Sequence, residues 1–201
     1  LMVGTRIYIP PRPKVPIEAN AYIEPLGGRV SPALLNDAVR AAPQLTYFAP
    51  FSYAVRPDGT LNPMPLNGIP EVAQQYNVTL MMVITNLEGG RFSGRLASDI
   101  LNSVAVQELL ITNIIEEAAR VGIFSDIHFD FEFIPVDLRF AYTNFLRRAA
   151  TRLRAEGYLV SAALAPKTSA DQRGQWYEAH DYRAIAQEVD FVVIMTYEWG
   201  Y

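Results

Sequence analysis

Residues 126–133 read Asp126-Ile127-His128-Phe129-Asp130-Phe131-Glu132-Phe133, four ionisable side chains alternating with four large apolar ones. An extended strand turns such an alternation into two coherent faces, because successive side chains point to opposite sides of a sheet. Asp126, His128, Asp130 and Glu132 then form one column, and Ile127, Phe129, Phe131 and Phe133 the other. Burial against helices accounts for the apolar column. Folding alone does not account for the polar one, since neighbouring carboxylates repel and their removal from water is costly. A strand with this polar face is a candidate active site.

Six apolar, β-rich runs lie at 17–23, 45–53, 78–85, 126–133, 158–164 and 190–197. Helical stretches separate them: 32–42 after the cap candidate Ser31, 69–76 with Pro70 in its first turn, 98–121 stopping at Gly122, 136–156 stopping at Gly157, and 177–188. The longest carries Leu101, Val104, Leu109, Ile111, Ile114, Ile115 and Ala118 as a helical apolar stripe. With no hairpin signal read between strands, the sheet is expected to be parallel with right-handed crossovers, at the usual spacing of about 35 residues per βα unit. Two architectures fit, an eight-fold βα barrel and an open doubly wound sheet. The turn after the first strand, Tyr22-Ile23-Glu24-Pro25-Leu26-Gly27-Gly28, carries no phosphate-binding fingerprint, and its glycine pair reads as structural. The expectation is therefore an α/β fold, a (β/α)8 TIM barrel with about six of its eight βα units in this chain. Upstream, Pro10, Pro11, Pro13 and Pro16 make residues 11–16 a semi-rigid polyproline linker, so that a further module is expected before it.

Composition narrows the partners. The formal net charge is −4 and the cations are scattered, which gives no footprint for nucleic acid or an anionic membrane. No run reaches the roughly 18 apolar residues of a membrane span, and the opening Leu1-Met2-Val3-Gly4 lacks the pattern of a signal peptide. The chain reads as beginning inside a longer protein. Cysteine is absent, which removes disulfides, thiolate zinc sites and a cysteine nucleophile.

Catalytic groups of βα barrels sit at the C-terminal strand ends. Glu132 is placed at the rim, Asp130 one layer deeper and His128 deeper still. Two carboxylates about 6 to 7 Å apart on one strand face bias each other's proton affinities, leaving one as acid and the other charged. That is glycosidase logic, and its bland counterpart is a buried ion-pair network with His128. A metal centre is the other alternative, but the chain has only His128 and His180, without metal-ligand spacing, and no metal or cofactor is expected. His180 falls at a helix start, where a solvated or capping role is expected. No nucleophile-elbow motif supports a serine hydrolase. The sixth run ends Tyr197-Glu198-Trp199, a phenol, a carboxylate and an indole suited to sugar rings.

These strands resemble glycoside hydrolase family 18, whose fourth strand carries D-x-x-D-x-D-x-E and whose sixth carries M-x-Y-D. Asp130 and Glu132 match the last two positions of the first motif, while Ser125 and His128 stand where the family has Asp. Met195-Thr196-Tyr197-Glu198 keeps Met and Tyr with Glu for Asp, and Phe51-Ser52-Tyr53 followed by Asp58-Gly59 resembles the family's aromatic second strand. Asp130-Phe131-Glu132-Phe133-Ile134-Pro135, Ala165-Pro166-Lys167-Thr168 and Tyr197-Glu198-Trp199-Gly200 are similar to the branch of spore cortical-fragment-lytic N-acetylglucosaminidases, which carry N-terminal lysin motifs. Val3-Gly4-Thr5-Arg6-Ile7-Tyr8 resembles the closing strand of such a motif, assigning residues 1–10 to a lysin module and 17–201 to the barrel. The resemblance implies substrate-assisted retaining hydrolysis of β-1,4-linked N-acetylglucosamine glycan in peptidoglycan or a chitin-like oligosaccharide, in the spore or cell envelope outside the cytoplasm. Glu132 would be the acid, Asp130 and Tyr197 would hold the substrate acetamide, and His128 would support Asp130. Tyr22, Phe51, Asn86, Glu198 and Trp199 are the candidate sugar-binding residues. A chitinase, or a lectin-like barrel without catalysis, are the alternatives.

Overall fold

A computed structural model of the chain describes residues 17–196, so residues 1–16 and Tyr197, Glu198 and Trp199 lie outside the described residues. In chain order the elements are β1 (Asn20–Ile23), α1 (Pro32–Ala41), β2 (Tyr47–Pro50), β3 (Tyr53–Ala54), α2 (Ile69–Tyr76), β4 (Thr79–Thr85), β5 (Leu87–Glu88), β6 (Arg91–Phe92), α3 (Gly94–Leu101), α4 (Val104–Val121), β7 (Phe124–Asp130), α5 (Arg139–Ala155), β8 (Leu159–Leu164), α6 (Tyr182–Ala186) and β9 (Phe191–Ile194). Strands β1, β2, β4, β7, β8 and β9 lie side by side in that order, and all their pairings are parallel. The short β3 pairs with β4 beyond the end of β2. This order decides between the two architectures. A doubly wound sheet reverses direction and sets a later strand outside β1, whereas here each new strand joins the same side, as in a βα barrel, and the sheet curls as half of one.

The two sides of the sheet bury different surfaces. Towards the helices, Ile127, Phe129 and Phe131 enter a large core with Leu110 and Ile114 of α4 and Tyr142, Phe145 and Leu146 of α5. Phe129 meets Phe145 edge-on at 5.4 Å between ring centroids, and Phe131 stacks on Tyr142 at 6.0 Å. Each such phenyl contributes about 1.5–3 kcal/mol on burial, which is why the apolar column of β7 is so bulky. The concave face holds a smaller cluster, Tyr47, Ala49, Met81 and Val83, with Tyr22, Phe51 and Phe191 against it.

Several boundaries differ from the sequence reading. Residues 87–92 form an antiparallel hairpin that the reading lacked; Gly89 and Gly90, both at positive φ, make its two-residue turn, and strands of two residues are too short to show a period. The expected single helix over 98–121 is two. The Ser103 hydroxyl caps the amide of Val106 and restarts the helix, while the Ser93 hydroxyl caps α3 earlier than expected. The strand expected to run to Phe133 ends at Asp130, and the last expected helix shortens to Tyr182–Ala186.

Candidate active site

Strand β7 carries one residue more than its neighbour at its start. Leu80 pairs with Phe124 but Met81 pairs with Asp126, so Ser125 bulges out and is exposed. Asp126, His128 and Asp130 thereby face the concave side, beside Met81, Val83 and Thr85 of β4. All three are buried. Ser161 of β8, in register with His128, links two of them. Its hydroxyl donates to Asp126 Oδ2 at 2.6 Å and lies 2.7 Å from His128 Nδ1, while His128 Nε2 lies 2.7 Å from the Tyr22 hydroxyl of β1. A hydroxyl has one proton, and while Asp126 is ionised Ser161 gives it to that carboxylate. His128 Nδ1–H therefore donates to Ser161, and Nε2 accepts the Tyr22 proton. Burial keeps this imidazole neutral, lowering its pKa to about 3. Burial also pushes Asp126 up to about 7, with the Ser161 hydrogen bond opposing and the charge of Asp190 adding to the rise.

Glu132 lies past the end of the strand, where its backbone is clamped. Its N–H donates to Asn86 Oδ1 at 2.9 Å, and Asn86 Nδ2 donates to the Glu132 carbonyl at 2.9 Å and the Ser93 carbonyl at 3.0 Å. Phe133 then takes a left-handed φ of 54°, turning the chain away. Phe133 stacks on Trp176 with ring centroids 6.5 Å apart, and the Trp176 indole N–H donates to Glu132 Oε2. Asp130 and Glu132 open into a cleft of about 290 Å³ lined also by Tyr22, Glu24, Phe51, Phe92 and Met195. Tyr22, Phe51 and Phe92 form its aromatic wall, with edge-to-face contacts at 6.0 and 6.4 Å. A larger recess of about 760 Å³ between β1 and β9 is lined mainly by apolar groups and includes neither carboxylate.

A buried column of acids topped by a carboxylate in an aromatic-walled cleft, on a parallel barrel-type sheet, is the setting of a glycosidase. The model of the glycosyl hydrolases family 18 matches residues 39–200. The chain belongs to glycoside hydrolase family 18. It is 52% identical over 192 residues to the cortical fragment-lytic enzyme of Bacillus subtilis strain 168, covering 96% of this chain and 44% of that protein. The crystal structure of the Bacillus cereus spore cortex-lytic enzyme SleL superposes with a TM-score of 0.90 at 44% identity, covering 100% of this chain and 46% of that one. A chitinase from Chromobacterium violaceum shares the fold at 20% identity, with a TM-score of 0.79 over 92% of this chain and 57% of that one. The chain spans under half the length of the curated cortex-lytic relatives, 44% and 45% for two of them.

Within this family 18 barrel, Tyr22, Phe51, Asp130 and Glu132 of the expected site meet in one cleft, and His128 lies one layer below Asp130. Asn86 does not join them. It was expected to touch sugar, but its side chain is buried behind Glu132 and its amide is committed to backbone groups. Tyr197, Glu198 and Trp199 lie outside the described residues. His180 is corrected as well: it is 1% exposed, not solvated, and takes the Ala165 N–H on Nδ1 while Nε2 donates to the Phe131 carbonyl, each at 2.9 Å. Burial holds its pKa down at about 4. Ser161, Phe92, Glu24 and Trp176 also belong to the site, beyond the residues expected from the sequence. Only Trp176 had a visible signal, a large aromatic in the loop that leaves a strand at its C-terminal end.

Proposed function

We propose that the chain is part of a glycosidase that cleaves β-1,4 bonds of N-acetylglucosamine-containing glycan, with peptidoglycan fragments of the spore cortex as substrate. The observation that carries the reading is the pairing of Asp130 and Glu132 on one cleft above a buried, neutral histidine. Glu132 protonates the leaving glycosidic oxygen. The substrate's own 2-acetamido oxygen attacks the anomeric carbon, and Asp130 with Tyr197 holds that acetamide and balances the oxazolinium charge. Water then opens the ring, returning its proton to Glu132 and retaining configuration. The imidazole at position 128, kept neutral by burial, adds no charge of its own beneath Asp130. Such a glycan lies outside the cytoplasm, in the spore or cell envelope. Residues 1–10 fit the end of a glycan-binding lysin motif, and 11–16 the linker to the barrel.

Reducing-sugar release from cortex fragments and from chitin, measured on the full-length protein, tests the reading. Cortex fragments are the expected substrate. Glu132→Gln should lower turnover by about a hundredfold or more, the usual contribution of a general acid, with binding of the glycan retained. Undiminished hydrolysis by that variant would remove Glu132 from the mechanism, and preferential cleavage of chitin would reassign the substrate.

A further inference from the structure

The loop between β8 and α6, residues 165–181, is fastened to the protein at both ends. Close to its start the Lys167 amide donates to the Tyr182 hydroxyl at 2.9 Å, and the Lys167 ammonium donates to the His180 carbonyl at 2.5 Å. At its end Asp181 pairs with Arg139 of α5 at 2.7 Å, and Arg139 also donates to the Glu178 carbonyl at 3.1 Å. Between these ties sits His180, fully enclosed. Its Nδ1 accepts the Ala165 N–H, so its Nε2 carries the proton and donates to the carbonyl of Phe131, the residue next to Glu132. A buried imidazole with both nitrogens committed to backbone on two different strands' exits is a fastener, and it joins this loop to the catalytic strand. Further along the same loop, the indole of Trp176 donates to Glu132 Oε2 and stacks on Phe133.

We propose that this loop is a positioning arm for the acid, with His180 as its anchor and Trp176 as its contact, a role that rests on the glycosidase reading above. With Oε2 accepting the indole N–H, the transferable proton of Glu132 sits on the other oxygen, Oε1. When that proton passes to the glycosidic oxygen, the carboxylate left behind keeps a donor on Oε2, which stabilises it and makes Glu132 the stronger acid. Water returns the proton in the second half of the cycle, and the indole keeps its own hydrogen throughout. Trp176 and His180 act through Glu132 and are positioning residues. Among the described residues, Asp130 of β7 and Tyr22 and Glu24 at the β1 end line the same cleft as Glu132, and the charge of Glu132 reaches the buried Tyr142 on α5.

Trp176→Phe keeps an aromatic ring for Phe133 and deletes the N–H. Measured on the full-length protein, its kcat should fall about tenfold with KM within about twofold. The basic limb of its pH–kcat profile should move to higher pH by about half to one unit, because the neutral acid is no longer disfavoured. His180→Leu, which frees the arm but leaves the indole, should move the limb the same way; should it fail to fold, the partly exposed Trp176 position still decides. A Trp176→Phe enzyme with an unchanged limb, or one in which only KM rises, overturns the proposal and makes Trp176 a plain substrate contact. An active Glu132→Gln enzyme would instead overturn the underlying reading of the acid.

Discussion

Position 128 shows how much one imidazole can alter in a column of acids. It is neutral because it is buried, and while Asp126 is ionised its tautomer is set by Ser161, which spends its one proton on that carboxylate. The same burial sets opposing pH dependences. Asp126 holds its proton more tightly when folded, at about 7 against an ordinary 3.8, so its stabilising contribution is complete below about pH 4 and is lost as pH rises through 7. His128 and His180 hold theirs less tightly, at about 3 and about 4 against 6.5. Their contributions are present above 6.5 and are lost as pH falls through those values. Between pH 4 and 6.5 the aspartate offsets one histidine. In Asp126→Asn that offset is gone, so the unfolding temperature of the variant relative to wild type should climb as pH goes from 4 to 7, as followed by thermal melts across that range. Two parallel curves would mean that Asp126 does not titrate there. None of this relay beyond its β7 members was legible in the sequence, because Ser161 and Tyr22 reach His128 only through strand register across 33 and 106 residues.

At the scale of elements, the first turn of α3 and the turn that carries Glu132 are built as one piece. The Ser93 hydroxyl caps α3, the Ser93 carbonyl takes a bond from Asn86, and a Cβ on Gly94 would stand 2.6 Å from the Phe133 carbonyl oxygen. No side chain fits there. Gly94→Ala must push that backbone aside, displacing Phe133 and with it Glu132, while the rest of α3 is left as it is. Turnover on glycan is expected to drop by about a hundredfold, the scale of an ångström-sized misplacement, with far-ultraviolet circular dichroism unchanged. A fully active variant would show that the turn yields without harm. The column of β7 was readable because two periods coincide on it, polar inward and phenyl outward. The split of the long helix was not, since its apolar stripe runs unbroken past Ser103 and only the cap marks the joint. Nor was the loop of Trp176 and His180, whose folding depends on partners at the exit of β7 and on α5 rather than on any local pattern.

For the whole molecule, the strand order places β7 well inside the sheet, with β1, β2 and β4 to one side and β8 and β9 to the other. The lateral strands β1 and β9 have four residues each, while β4 and β7 have seven. That placement has a meaning in time. Sheets open from their sides, where one ladder of hydrogen bonds must break rather than two. In this chain the amides of β1 and β9 should exchange with deuterium soonest and those of β4 and β7 last, as mass spectrometry of residues 1–201 would record; β7 exchanging together with β9 would contradict it. Asp126, His128 and Asp130 thus ride on the strand expected to open last, and Glu132, two residues beyond its end, keeps its aim while the flanks loosen and re-form.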